Sequence, residues 1–281
     1  MKRILVPTDF SPNAETAFRF AMYLATLFKG TIILYHTYIP LENPFIGDKT
    51  QRAAHNFKTE TRILKKLHRF KKKVVKKEDE ISVSTIIGRS PLINNILGFA
   101  EHNHIDLIVM GTKGASGIKK ILLGSVAAKV AQKSDLPVLL IPEKCNTNCL
   151  KEIVFATDFT PWDEKAINDT LSFAKLQNGT VTVTHVMDGH SHEKKKIKIK
   201  NDFEAYAYYM QRKINRRNLK FQLIETKAKE EKIKTLMNHT PYDMLALVRK
   251  NKSFIHKLRT VSYTKNLAYM MEKPLLIHPP G

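Results

Sequence analysis

The chain has 281 residues, 43% of them hydrophobic and 26% charged, which is enough apolar material for two ordinary cores. Forty-seven Lys and Arg stand against 26 Asp and Glu, a formal charge of +21, and the excess divides almost evenly, +11 within residues 1–142 and +10 beyond them. An even spread excludes a separate polybasic tail, two cysteines exclude a disulfide framework, and no apolar run reaches the length of a membrane span. The opening "MKRILVPTDF" lacks the apolar region and cleavage site of a secretory leader, so a cytoplasmic chain is expected.

In chain order, "RILVPT" (3–8) is an apolar run of strand length closed by a proline and a turn. Ser11 and Pro12 then read as the cap and first position of a helix. Its Ala14, Ala17, Phe18, Ala21, Leu24, Ala25 and Phe28 keep the i, i+3, i+4, i+7 spacing of a buried stripe, and Gly30 suits its end. "TIILYHTY" (31–38) is the second strand. A longer helix is expected across about 50–73, with Ala54, Phe57, Thr61, Leu64 and Leu67 on one face. "ISVSTIIG" (81–88) is the third strand, followed by a helix capped by Ser90 with Pro91 at its first position. "DLIVMG" (106–111) is the fourth strand, "SVAAKVAQKS" (125–134) the last helix and "PVLLIP" (137–142) the fifth strand. Alternating strands and helices, with strands apolar nearly throughout, predict a parallel sheet covered on both faces. Right-handed crossovers make it doubly wound.

The pattern then recurs. Residues 2–38 and 151–187 align without a gap, matching Asp9 with Asp158, Pro12 with Pro161, Gly30 with Gly179 and His36 with His185. Residues 106–142 align in the same way with 243–279. So long a period is not that of a solenoid. It predicts two tandem α/β domains, 1–142 and 151–281, joined by "EKCNTNCL" (143–150).

The stretch "GTKGASGIKKILLGS" (111–125) carries the functional signal. In an open α/β sheet, ligands bind beyond the carboxyl ends of the strands, where the strand order reverses. Gly111, Gly114 and Gly117 let backbone approach a ligand closely and take angles that other residues avoid. Gly124 and Ser125 open the last helix, whose N–H groups and dipole favour an anion. The spacing G-x2-G-x9-G-S is neither the P-loop nor the G-x-G-x-x-G fingerprint, and ordinary turn glycines would also account for the composition. Asp9 likewise has two readings, as a ligand contact or as a cap of the turn near Ser11.

Gly111, Gly114, Gly124 and Ser125, with "PTDFS" (7–11) and "LPVLLIP" (136–142), resemble the universal stress protein family, and both halves share in the resemblance. In that family's ATP-binding branch, G-x2-G-x9-G-[S/T] is the nucleotide signature. The resemblance implies tandem Rossmann-like domains, each a five-stranded parallel sheet in the order 3-2-1-4-5. As ligand it implies ATP or another adenine nucleotide, with or without Mg. Asp9 would lie by the adenosine portion, and Thr37 would offer backbone groups to adenine. Pro7, Thr8 and Met110 would line the same crevice. Gly111, Gly114, Gly124, Ser125 and the N–H of Val126 would hold the ribose and phosphates. The family habit of pairing final strands implies an internal pseudo-dimer of 137–142 with 274–279, and the sequence leaves a larger homodimer open.

The second half carries Val248, Asn251 and Val261 where the first has Gly111, Gly114 and Gly124, and only Ser262 keeps its type, opposite Ser125. A β-branched Val resists positive φ and crowds the backbone, so nucleotide is expected in the first domain alone. Arg249 and Lys250 are expected in an exposed loop. No catalytic or metal-ligating set is assigned: the GxSxG elbow is missing, Cys145 and Cys149 lack a companion pair, and His36 and His185 read as structural. The expectation is a regulatory, stress-response module that binds nucleotide, with slow ATP hydrolysis or phosphoryl transfer as the alternative. The basic runs 64–77 and 192–200 read as solvated faces, so neither nucleic acid nor an acidic surface is an expected partner.

Overall fold

The computed structural model describes all residues except 77, 113–123, 146–149, 161, 228–241, 250–272 and 281. Gly114, Gly117, Cys149, Pro161, Lys250, Asn251, Val261 and Ser262 therefore lie outside the described residues. Two compact units are present, Met1–Glu143 and Lys144–Gly281.

The first unit runs β1 (Arg3–Pro7), α1 (Pro12–Phe28), β2 (Thr31–Tyr38), α2 (Lys49–Val74), β3 (Val83–Arg89), α3 (Leu92–His102), β4 (Leu107–Gly111), α4 (Ser125–Lys133) and β5 (Val138–Ile141). Neighbouring strands are all parallel, in the order β3-β2-β1-β4-β5. Ile4, Leu5 and Val6 of β1 are fully buried, because α1 and α2 cover one face of the sheet and α3 and α4 the other. Burial on both faces is why these strands read as continuous apolar runs and not as alternating ones. The expected doubly wound α/β fold is the one found.

The local signals hold for α1. The Ala14 N–H donates to Ser11 Oγ at 3.2 Å, and Ala14, Ala17, Phe18, Ala21, Leu24 and Ala25 are all buried. Gly30, however, is not the left-handed residue at the helix end. Lys29 takes that role at φ 51°, and Gly30 is needed because a Cβ there would sit 3.0 Å from the Lys2 carbonyl oxygen. The second unit repeats the arrangement: Asn178 has φ 52°, and a Cβ on Gly179 would collide with the Lys151 carbonyl.

Two further expectations are corrected. Ser90 does not cap α3. Its N–H donates to the Tyr38 carbonyl at 2.8 Å, extending the ladder between β2 and β3, and Pro91 occupies the cap position without a side-chain bond. In α2 the buried residues are Ile63, Leu67, Phe70 and Val74, whereas Ala54, Phe57 and Leu64 are exposed. Leu64 lies about 100° around the helix from Ile63, so two apolar stripes share one helix and only the one in its C-terminal half meets the core.

The second unit runs β6 (Glu152–Ala156), α5 (Asp163–Lys175), β7 (Thr180–Asp188), α6 (Glu193–Ile214), β8 (Leu219–Thr226), β9 (Met244–Val248) and β10 (Leu275–His278). Its strands are parallel in the order β8-β7-β6-β9-β10, the same topology. Matching hydrogen bonds occur in the two units. Asp106 Oδ2 accepts the N–H groups of Lys2 and Arg3 at 2.6 and 2.9 Å, and Asp243 Oδ2 accepts those of Lys151 and Glu152 at 2.9 and 3.0 Å. Arg249, expected in an exposed loop, is buried. Its N–H donates to the His278 carbonyl at 2.9 Å, continuing the ladder beyond β9.

Candidate functional site

β1 lies between β2 and β4, so the chain winds outward in opposite directions from its carboxyl end, the place where open α/β sheets bind ligands. The residues there build a specific turn. The Thr8 N–H continues the ladder to the Tyr35 carbonyl at 2.8 Å. Thr8 Oγ1 then accepts the Phe10 N–H, and Asp9 Oδ1 the Ser11 N–H, each at 3.0 Å. These two bonds hold Phe10 in the left-handed region at φ 67° and deliver the chain into the α1 cap. Side chains of Thr and Asp suit this work because they replace backbone acceptors locally.

His36 locks the turn from β2. A carbonyl can only accept, so the imidazole Nδ1–H donates to the Thr8 oxygen at 2.7 Å, and the ring lies 4.5 Å from that of Phe10. Burial holds its pKa below the usual histidine value, which keeps the ring neutral and suits a structural role. His185 repeats the pattern with the Thr157 oxygen at 2.8 Å and Phe159 at 4.5 Å.

Beside this turn is a cavity of about 240 Å³. Pro7, Thr8 and Asp9 line it from the end of β1, Thr37 from β2, Met110 and Gly111 from β4, and Gly124, Ser125 and Val126 from the start of α4. Asp9 caps the turn, one of its two readings, and also lines the cavity. The expected site residues among the described ones converge on this space. Sequence reasoning missed Ala14, Tyr35, Leu92, Ile96 and Ala127, which complete the lining. A signal existed for some: Tyr35 precedes Thr37 by two on a strand, and Leu92 and Ile96 are four apart on a helix, so each pair shares a face.

The opening of α4 is arranged for an acceptor. The Gly124 N–H bonds the Thr112 carbonyl at 2.6 Å and the Ala128 N–H bonds the Gly124 carbonyl at 3.0 Å. Helix geometry leaves the intervening N–H groups of Ser125, Val126 and Ala127 without intrahelical acceptors, and Gly124 at the cap has no side chain to bond them.

Gly111 works differently from its expected role. It is not among the residues with positive φ. A Cβ on it would instead meet Asn13 Cγ and Oδ1 at 2.9 Å and the Asn13 carbonyl carbon at 3.0 Å. Asn13 is held there by its Nδ2–H donating to the Ile141 carbonyl at 3.1 Å and by the Thr112 hydroxyl at 3.4 Å. The glycine is thus demanded by helix–strand packing behind the cavity.

The matching region of the second unit is built otherwise. Val248 occupies the Gly111 position, and Asp163, 1% exposed, stands where the first unit has Ala14. The Asp163 carboxylate accepts the hydroxyls of Thr157 and Thr160 and, at 2.8 Å, that of Tyr206. Burial beside this carboxylate pushes the Tyr206 phenol well above the ordinary tyrosine range. Among the described residues, no group of three His, Cys, Asp or Glu side chains is placed to hold a metal. Burial raises the Cys145 thiol to about 11, so it is not a reactive thiolate. No described helix is long and apolar enough to cross a membrane.

The fold and the sequence of the first unit have relatives. A family profile described as the universal stress protein family matches residues 1–142. Universal stress protein MJ0531 of Methanocaldococcus jannaschii is 34% identical over 143 residues, covering 50% of this chain and 81% of that protein. Universal stress protein MJ0577 of the same organism is 33% identical over 155 residues, covering 51% of this chain and 96% of its own. The crystal structure of a universal stress protein from Archaeoglobus fulgidus superimposes with a TM-score of 0.69 over 99% of this chain and 96% of that one, at 18% identity, a likeness of fold. The chain belongs to the universal stress protein family.

Proposed function

We propose that the first unit binds one adenine nucleotide, ATP in the first instance, and that the protein acts as a nucleotide-responsive regulatory module. The convergence of the α4 N–H groups with an apolar-walled cavity at the end of β1 supports this reading. N–H groups at a helix start, with the positive end of its dipole, suit phosphates. Tyr35, Leu92, Ile96 and Met110 give the cavity an apolar lining of the kind a purine packs against. Asp9, exposed at the rim, suits sugar hydroxyls as an acceptor. With no cluster of metal ligands among the described residues, the site would take magnesium on the phosphates, where that ion keeps most of its waters.

The second unit is read as a partner without nucleotide. Beyond the valine at 248, the buried Asp163 carboxylate stands at the position where Ala14 lines the first unit's cavity, and like charges in a poorly solvated space repel strongly.

Calorimetry with the full chain tests the proposal. One ATP per chain is expected, and Gly124→Val, which adds a branched side chain at a residue lining the cavity, should weaken it on the order of 10- to 100-fold, the range typical of overpacking. Gly124 has φ −58° and ψ 144°, angles that valine adopts readily, and the variant's unfolding curve checks that it remains folded. Two equivalent sites per chain, or full binding by the variant, would refute the reading.

A further inference from the structure

The long helix after the second strand of each unit combines strong positive charge with large apolar side chains turned to solvent. α2 contains ten Lys and Arg against the single acid Glu60, and that carboxylate is already engaged by the Tyr38 hydroxyl and by Arg89. The unburied stripe of α2 exposes Leu64 and leaves Phe57 73% exposed. Lys58, Arg62 and Lys65 share a shallow depression with Phe57. The segment leading into the helix adds Ile46, Ile39 at 83% and Phe45 at 94% exposure. It is fastened to α2 by paired bonds between Asn56 and Leu41 and by Arg52 on the Gly47 carbonyl. In α6 the exposed large apolar residues are Ile197, Tyr208 and Tyr209, with Arg212 and Lys213 over the two tyrosine rings.

Water satisfies the cations of such a face but not its apolar members. A second copy of the same face would bring two sets of cations together. Nucleic acid would neutralise the cations and could stack on Phe57, yet it offers nothing to Ile39, Ile46 and Leu64. An anionic bilayer satisfies both sets at once: apolar side chains enter the boundary between headgroups and acyl chains, while Lys and Arg stems reach the phosphates. We propose that the outward face of α2, with residues 39–48, is a peripheral docking surface for a membrane rich in anionic phospholipid, and that α6 presents a second face of the same kind. This reverses the expectation of a merely solvated basic run, and it turns on which of the two α2 stripes the core takes.

Co-sedimentation of the full chain with vesicles tests the proposal. Binding is expected to phosphatidylcholine vesicles that contain phosphatidylglycerol, and not to phosphatidylcholine alone. Each neutralised cation should lower the partition on the order of fivefold, so Lys58→Gln, Arg62→Gln and Lys65→Gln together should lower it on the order of 100-fold. Phe57→Ser with Leu64→Ser should weaken binding by at least 10-fold with an unchanged thermal melt, since both side chains are exposed. Failure to bind anionic vesicles at low salt would overturn the proposal. So would serine variants that bind like the parent chain, tighter binding to single-stranded RNA than to vesicles, or a dimer that those variants split.

Discussion

The replacement Gly111→Ala separates two accounts of the same glycine. If the residue is there to let a ligand approach the backbone, alanine should spare the ligand-free protein and impair binding. The geometry says otherwise, since the new Cβ meets three atoms of Asn13 at 2.9–3.0 Å. One of them is the backbone carbonyl carbon, which cannot rotate away. Forcing a methyl group into packed surroundings costs about 1–3 kcal/mol. With a urea slope of about 2 kcal/mol per molar, a loss of 2 kcal/mol shifts the first unit's midpoint by about 1 M. Removing the Asn13 side chain takes away the Cγ and Oδ1 overlaps, but also its bonds to Ile141 and Thr112. Asn13→Ala will therefore destabilise by itself, and the informative quantity is the coupling in a double-mutant cycle. A coupling of about 1 kcal/mol in the relieving direction is expected for groups in direct contact. An unchanged urea midpoint for Gly111→Ala, together with lost nucleotide binding, would refute the packing argument.

Asp163→Ala should cost about 2–4 kcal/mol in the second unit, measured by urea unfolding, because the hydroxyls of Thr157, Thr160 and Tyr206 would lose a buried charged acceptor. Asp163→Asn should retain part of the network and lose less. Burial lowers the His278 pKa to about 4, against an unfolded value near 6.5. Its contribution is therefore present above pH 6.5 and is lost as the pH falls towards 4, because the unfolded chain takes up a proton that the folded one refuses. Thermal or urea unfolding should show about 2 kcal/mol of lost stability between pH 6.5 and 5, and His278→Leu should remove that portion of the slope.

Much of the fold is legible in the residues. The apolar runs of β1, β4 and β5, the Ser11–Pro12 start of α1 and its small-residue stripe are local patterns whose physics acts within one or two helical turns. The repeat made the second unit's topology readable from the first. The convergence of Pro7–Asp9 with Gly111 and Gly124–Val126 was legible for the same reason, since a 3-2-1-4-5 winding brings the ends of β1 and β4 together. Ser90 and Gly30 were misread because proline and glycine punctuate helices in general, while here one strand pairing and one carbonyl decide their roles.

Sequence by itself determined the α/β class, the internal similarity of its two halves and the segments that meet at the cavity, because periodicity, turn chemistry and self-similarity are properties of neighbouring residues. Only tertiary structure decided which of two apolar stripes on α2 enters the core, why Gly111 must lack a side chain, and that Asp163 sits buried where Ala14 lines the other unit's cavity. Each of those depends on an atom from a distant segment arriving within contact distance, and spacing along the chain carries no record of that approach.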